Sequence, residues 1–156
     1  MSLLCERILA VMPNLCEDDP KVDWVDIMWN DLDKRAIGRT SRGGRTIRII
    51  LRANQTLEHG AVLARVRSSQ IVVNVPSCET LIVAPKSAAK LAECAYVIGN
   101  LHIPAQIEAG KIIVPADLST EAALGRAGIK FKPAFRRFRP MPNALPQLTL
   151  AGDLAR

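Results

Sequence analysis

Aromatic residues and histidine are both scarce in this chain, with three Phe, two Trp, one Tyr and two His among 156 residues. The first scarcity leaves Val, Ile, Leu and Ala to build a core, which a hydrophobic fraction of 49% allows. It also removes the interleaved stacking platforms of a single-strand binder. The net charge of +6 therefore permits an anionic partner without pointing to nucleic acid. No apolar run approaches the ~20 residues of a membrane helix. The opening MSLLCERILAVMPN is too short and interrupted for a secretory signal. No membrane partner and a cytoplasmic location are the resulting expectations. Cys5, Cys16, Cys78 and Cys94 are widely spaced and form no CxxC, so they are expected as free thiols in partly buried positions. The sequence has no GxxxxGK[ST] phosphate loop and no Ser/His/Asp or Cys/His constellation, and the chain reads as a non-enzyme.

What is present is a change of pattern near Pro76. Upstream, short period-two runs dominate. Cys5–Val11 is a candidate strand, Asp23–Trp29 fits strand or loop, and Arg45–Arg52 alternates behind the turn Ser41-Arg42-Gly43-Gly44. Ala61–Val66 and Gln70–Val75 complete a small sandwich-like sheet region over residues 1–75. Downstream, Glu79–Ala84 is a strand. Lys86–Ile98 is an amphipathic helix with Ser87 as its cap and Gly99 where a left-handed stop belongs. Two short strands follow at Ala105–Glu108 and Lys111–Val114. A second helix is capped by Asp117 and closed by Gly128, and a last strand runs through Ile129–Lys132. The order βαββαβ over 76–138 is ferredoxin-like. The expected class is α+β, a β-rich N-terminal domain followed by this unit, with a Pro- and Arg-containing tail over 139–156 that is mobile or packs on a partner.

One block stands out. In Tyr96–Ile107, YVIGNLHIPAQI, a histidine lies three residues after Gly99 and two before Pro104, at a helix exit. Imidazole nitrogen serves divalent nickel well, and zinc also. A site of one or two imidazoles grips an ion yet lets it go, where a closed cage of four donors would not. His102 alone reads either as a metal ligand or as a capping, hydrogen-bonded residue. His59, in LEHG before a strand, reads as a solvent-exposed turn residue. Asp117 is accounted for as a helix cap, and Cys78 and Cys94 as partly buried thiols. The acidic run Glu17–Asp19 reads as a solvated loop.

Tyr96, Gly99, Asn100, His102, Pro104 and Ile107, with Ile98 for a usual leucine, resemble the central signature of the UreE urease accessory nickel-chaperone family. The likeness runs from about Val75 to Phe135 and more loosely upstream. It implies a β-rich N-terminal domain of the partner- or peptide-binding type, a ferredoxin-like metal-binding domain, and a homodimer. In that dimer His102 from both subunits holds Ni²⁺, with Zn²⁺ as a possible substitute. It further implies delivery through an accessory GTPase to the urease apoprotein. The sequence departs from the family pattern in two places. Val114-Pro115-Ala116-Asp117-Leu118 keeps only the aspartate of a histidine-bearing stretch, and the tail has no histidine. Few ions per dimer, as few as one, are then expected. An adaptor that binds accessory proteins without carrying metal is the alternative.

Overall fold

The computed structural model describes residues 2–52 and 55–141. The first seven strands form two sheets. β1 (Leu3–Cys5), β4 (Ala36–Thr40) and β5 (Thr46–Ile50) make one, in the order β1-β5-β4. β2 (Ala10–Val11), β3 (Val22–Asp26), β6 (Ala61–Val66) and β7 (Ser69–Asn74) make the other, in the order β2-β6-β7-β3. Alternation in β5 turns Ile47 and Ile49 inward and leaves Thr46, Arg48 and Ile50 outside. The inward pair meets Val25, Leu63, Ile71 and Val73 of the facing sheet in one aliphatic cluster. Asp23 on β3 pins the β4–β5 turn across the sandwich. Its carboxylate accepts from Ser41 Oγ at 2.8 Å, Gly43 N at 2.8 Å and Arg45 Nη1 at 2.7 Å.

The segment Cys5–Val11, expected as one strand, is two. Leu3–Cys5 pairs parallel with β5, whereas Ala10–Val11 pairs antiparallel with β6. The chain changes sheets between them, which breaks the single period. Asp23–Trp29, open between strand and loop, resolves into β3 followed by a 3-10 turn over Trp29–Asp31.

The second half runs β8 (Cys78–Val83), α1 (Ala88–Asn100), β9 (Gln106–Glu108), β10 (Lys111–Pro115), α2 (Leu118–Arg126) and β11 (Lys132–Arg136). Its sheet order, β11-β8-β10-β9, is that of the ferredoxin-like βαββαβ unit. Both helices lie on one face. Cys94 and Ile98 of α1 and Leu124 of α2 bury against Leu81, Val83, Ile112 and Val114. The α+β class expected from the periodicities is the one found. The last strand starts later than expected: Ile129 and Phe131 pack under the helices before β11 begins at Lys132.

Asp117 caps α2 as its position suggests. Its carboxylate accepts from Ser119 Oγ at 2.6 Å, Thr120 N at 2.8 Å and Thr120 Oγ1 at 2.9 Å. The Ser119 hydroxyl first, then the Thr120 amide, hold this carboxyl below its ordinary range. A depressed folded-state pKa gives stability that is present above the unfolded value and lost as pH falls. Asp117→Ala should therefore cost about 1 kcal/mol at neutral pH. The gap between variant and wild type should shrink below about pH 4, the ordinary aspartate value. Chemical denaturation across pH checks both.

Beyond β11 the chain returns to the N-terminal sandwich. Arg137 donates through Nε to the Val75 carbonyl at 3.0 Å and pairs with Glu17 at 3.0 Å. Phe138 is fully buried, edge-on to Trp29 with ring centres 5.0 Å apart. Arg139 pairs with Glu58 at 2.6 Å, while its amide donates to Gln106 Oε1 at 2.8 Å. Met141 N then reaches the Ala105 carbonyl at 2.7 Å. The tail expected over 139–156 thus begins as a packed strap between the two halves, and residues 142–156 lie outside the described residues.

Candidate functional site

Both helices of the ferredoxin-like half end in the same way. At the end of α2, Gly128 has φ +66°, its amide donates to Gly125 O at 3.0 Å, and Ile129 N donates to Leu124 O at 2.9 Å. At the end of α1, His102 has φ +55°, its amide donates to Gly99 O at 3.0 Å, and Ile103 N donates to Ile98 O at 3.3 Å. Both are Schellman stops, and the residues flanking each reversal pack into the same apolar cluster. The sequences align: Leu124-Gly125-Arg126-Ala127-Gly128-Ile129 and Ile98-Gly99-Asn100-Leu101-His102-Ile103. Glycine fills the left-handed position in one and histidine in the other. Gly99, expected there, lies inside α1 instead. A left-handed backbone at an L-residue costs roughly 1–2 kcal/mol, so His102 is held in a conformation that glycine would adopt more easily.

The reversal fixes where the imidazole starts. His102 is exposed, and Pro104 restricts the chain two residues on. This half also leaves large apolar side chains in solvent: Leu101 (43% exposed), next to His102 in the chain, Ile107 (54%), Met141 (56%) and Tyr96 (72%). A shallow hollow of about 190 Å³ opens beside them, floored by Ile98, Ile103 and Ile112 and edged by Gly99 and Met141. Within α1, Gly99 presents no Cβ, and one built there would meet nothing within 4 Å. The surface next to His102 is consequently apolar and low.

The other polar candidates are placed elsewhere. His59 is not the exposed turn residue expected from LEHG. Its ring stacks on Trp24, with centres 5.7 Å apart and planes 3° from parallel, and its Nδ1 accepts from Val75 N at 3.4 Å. Burial first, and the Arg137 guanidinium second, lower its pKa, with Glu17 opposing. The neutral ring suits an acceptor in the seam between the two halves. Asp117 directs both carboxylate oxygens into its helix cap. All four cysteines are free: Cys5 and Cys94 are buried, Cys78 is half-buried and Cys16 is exposed. Among the described residues, no group of three or more His, Cys, Asp or Glu side chains converges as a metal cage. The chain thus offers a single exposed imidazole on a hydrogen-bonded helix stop.

The fold and this mount define a small two-part α+β protein that presents one histidine from an apolar surface. Comparison with known proteins places the chain in a family. Residues 78–152 match the family model described as UreE urease accessory protein, C-terminal domain. The urease accessory protein UreE of Geobacillus kaustophilus is 31% identical over 137 residues, covering 88% of this chain and 93% of the relative. UreE of Bacillus sp. strain TB-90 is 29% identical, covering 89% of this chain and 97% of the relative. UreE of Lysinibacillus sphaericus is 25% identical, covering 88% and 93%. The chain belongs to the UreE family of urease accessory proteins. Its role is accessory to urease maturation, and it is not a catalyst.

Proposed function

We propose that this protein carries Ni²⁺ for urease assembly, with His102 from each of two subunits gripping one ion across a two-fold axis. The observation that supports this most is the exposed imidazole in a left-handed helix stop where glycine would be less strained. The apolar residues that this half leaves exposed suit burial against a second copy. An isologous contact duplicates every residue at its centre, so one histidine per chain becomes two per site. Two imidazole nitrogens, completed by water or carboxylate, suit Ni²⁺, and Zn²⁺ is an acceptable substitute. The ferredoxin-like half, residues 76–138, handles the ion in this scheme. The sandwich of residues 1–75 holds partners, namely the accessory GTPase and the urease apoprotein, in the cytoplasm.

The same chain could instead act as an adaptor that binds accessory proteins without carrying metal. The commitment of Asp117 to a helix cap, rather than to a second donor set, favours that reading. Equilibrium dialysis against micromolar Ni²⁺, with sedimentation of the same samples, separates the two. The carrier binds one ion per dimer, whereas the adaptor shows no site at that concentration.

A further inference from the structure

A larger hollow lies at the other end of α1 from His102. Its volume is about 910 Å³, and it opens between the end of β8, the first turns of α1 and the turn after α2. The late start of β11 creates it. Lys132 pairs with Ile82, and no β11 residue continues the ladder opposite Val83. Ile129 and Phe131 leave the sheet edge and wall the opening instead. The lining is mostly apolar, with Ile82, Pro85 and Pro133 adding to those two, yet Lys86, Lys90, Lys130 and Lys132 stand on it. No carboxylate belongs to the lining. Lys90 pairs with Glu93 at 2.7 Å, while Lys86, Lys130 and Lys132 make no ion pair among the described residues. All four lysines are exposed.

We propose that this cleft docks an acidic protein segment, which inserts one bulky apolar side chain between the four lysines. Charge selects the occupant. Ammonium groups clustered around a low-dielectric wall focus a positive field that attracts carboxylates. A second copy of this chain, with net charge +6, is disfavoured there. Nucleic acid is a poorer match, because the walls are mainly aliphatic and Phe131 is the only aromatic side chain on them. The location also separates two tasks. α1 has 13 residues, about 20 Å at 1.5 Å per residue. A partner seated at its first turns leaves His102 uncovered at its last. The proposal stands independently of whether His102 carries metal.

The test uses the full-length protein and the capped peptide Asp-Glu-Phe-Leu-Glu-Asp, followed by amide NMR and fluorescence anisotropy. Saturable amide shifts should centre on Ile82–Ala84, Lys86 and Lys130–Lys132. Lys130→Glu combined with Lys132→Glu should weaken binding by about tenfold or more, and Arg48→Glu on the distant sandwich sheet should not. The same peptide with lysine in place of its acids should not bind, and an octauridylate should not displace the acidic peptide. The proposal is overturned by absent or scattered shifts, by equal affinity for the lysine peptide, by displacement with the octauridylate, or by a lysine double variant that changes the oligomeric state instead.

Discussion

His102→Gly should abolish tight Ni²⁺ binding while leaving the fold as stable as before, or slightly more so. The two effects have separate causes. The imidazole is the donor that each subunit contributes in the proposed site. Loss of groups that merely orient a ligand already costs roughly 10–100-fold in metal affinity, and loss of the donor itself should cost more. The backbone at φ +55° is left-handed. Glycine relieves roughly 1–2 kcal/mol of strain there and returns about 0.5–1 kcal/mol through the entropy of the unfolded chain. His102→Ala removes the donor and keeps the strain, so the two variants should match in calorimetry with Ni²⁺ and differ in urea denaturation. If His102→Gly proved several kcal/mol less stable, the histidine would be a packing residue and the carrier reading would lose its main support.

Phe138→Ala should be among the most destabilising single changes, at about 3–5 kcal/mol. The side chain is fully buried and edge-on to Trp29, although it comes from the segment after the last strand and its partner from the first half of the chain. The flanking contacts of Arg137 with Val75 and Glu17, and of Arg139 with Glu58, should loosen with it. Because those contacts join the two halves, the variant should also separate one unfolding transition into two. Phe138→Leu, which nearly conserves volume, should cost less than about 1.5 kcal/mol. Denaturation followed by Trp fluorescence reports on this directly through Trp29. A loss below 1 kcal/mol for the alanine variant would mean that the strap does not hold the halves together.

The parts of this architecture that declare themselves in sequence are those with a local period. Thr46–Ile50 alternates because one face of β5 is core, and Ala88–Asn100 repeats every three to four residues because one side of α1 covers the sheet. Caps at Ser87 and Asp117 are equally local, since each side chain bonds an amide three residues on. Long-range choices leave no such trace. β1 pairs with β5 across more than forty residues, and a three-residue strand carries too little pattern to say which sheet it joins. Phe138 follows the last strand, and nothing near it in sequence announces Trp29 as its neighbour.

The candidate site is legible in outline through the residues around His102, and its backbone geometry is not. Gly99 reads as a helix stop because glycine usually fills that role. The signal for the true stop is the match of the two helix ends, in which Ile98 and Ile103 fall on Leu124 and Ile129, and His102 on Gly128. His59 departs from its local signal in the other direction. A histidine beside a turn glycine looks solvated, but Trp24, which supplies its stacking partner, comes from a strand far upstream.

Nickel K-edge X-ray absorption on the loaded protein tests the central claim most directly. Two imidazoles per nickel in the wild type, and none in His102→Gly loaded at the same ratio, is the result expected from paired histidines. An imidazole count that is unchanged in the variant would show that the ion is held elsewhere.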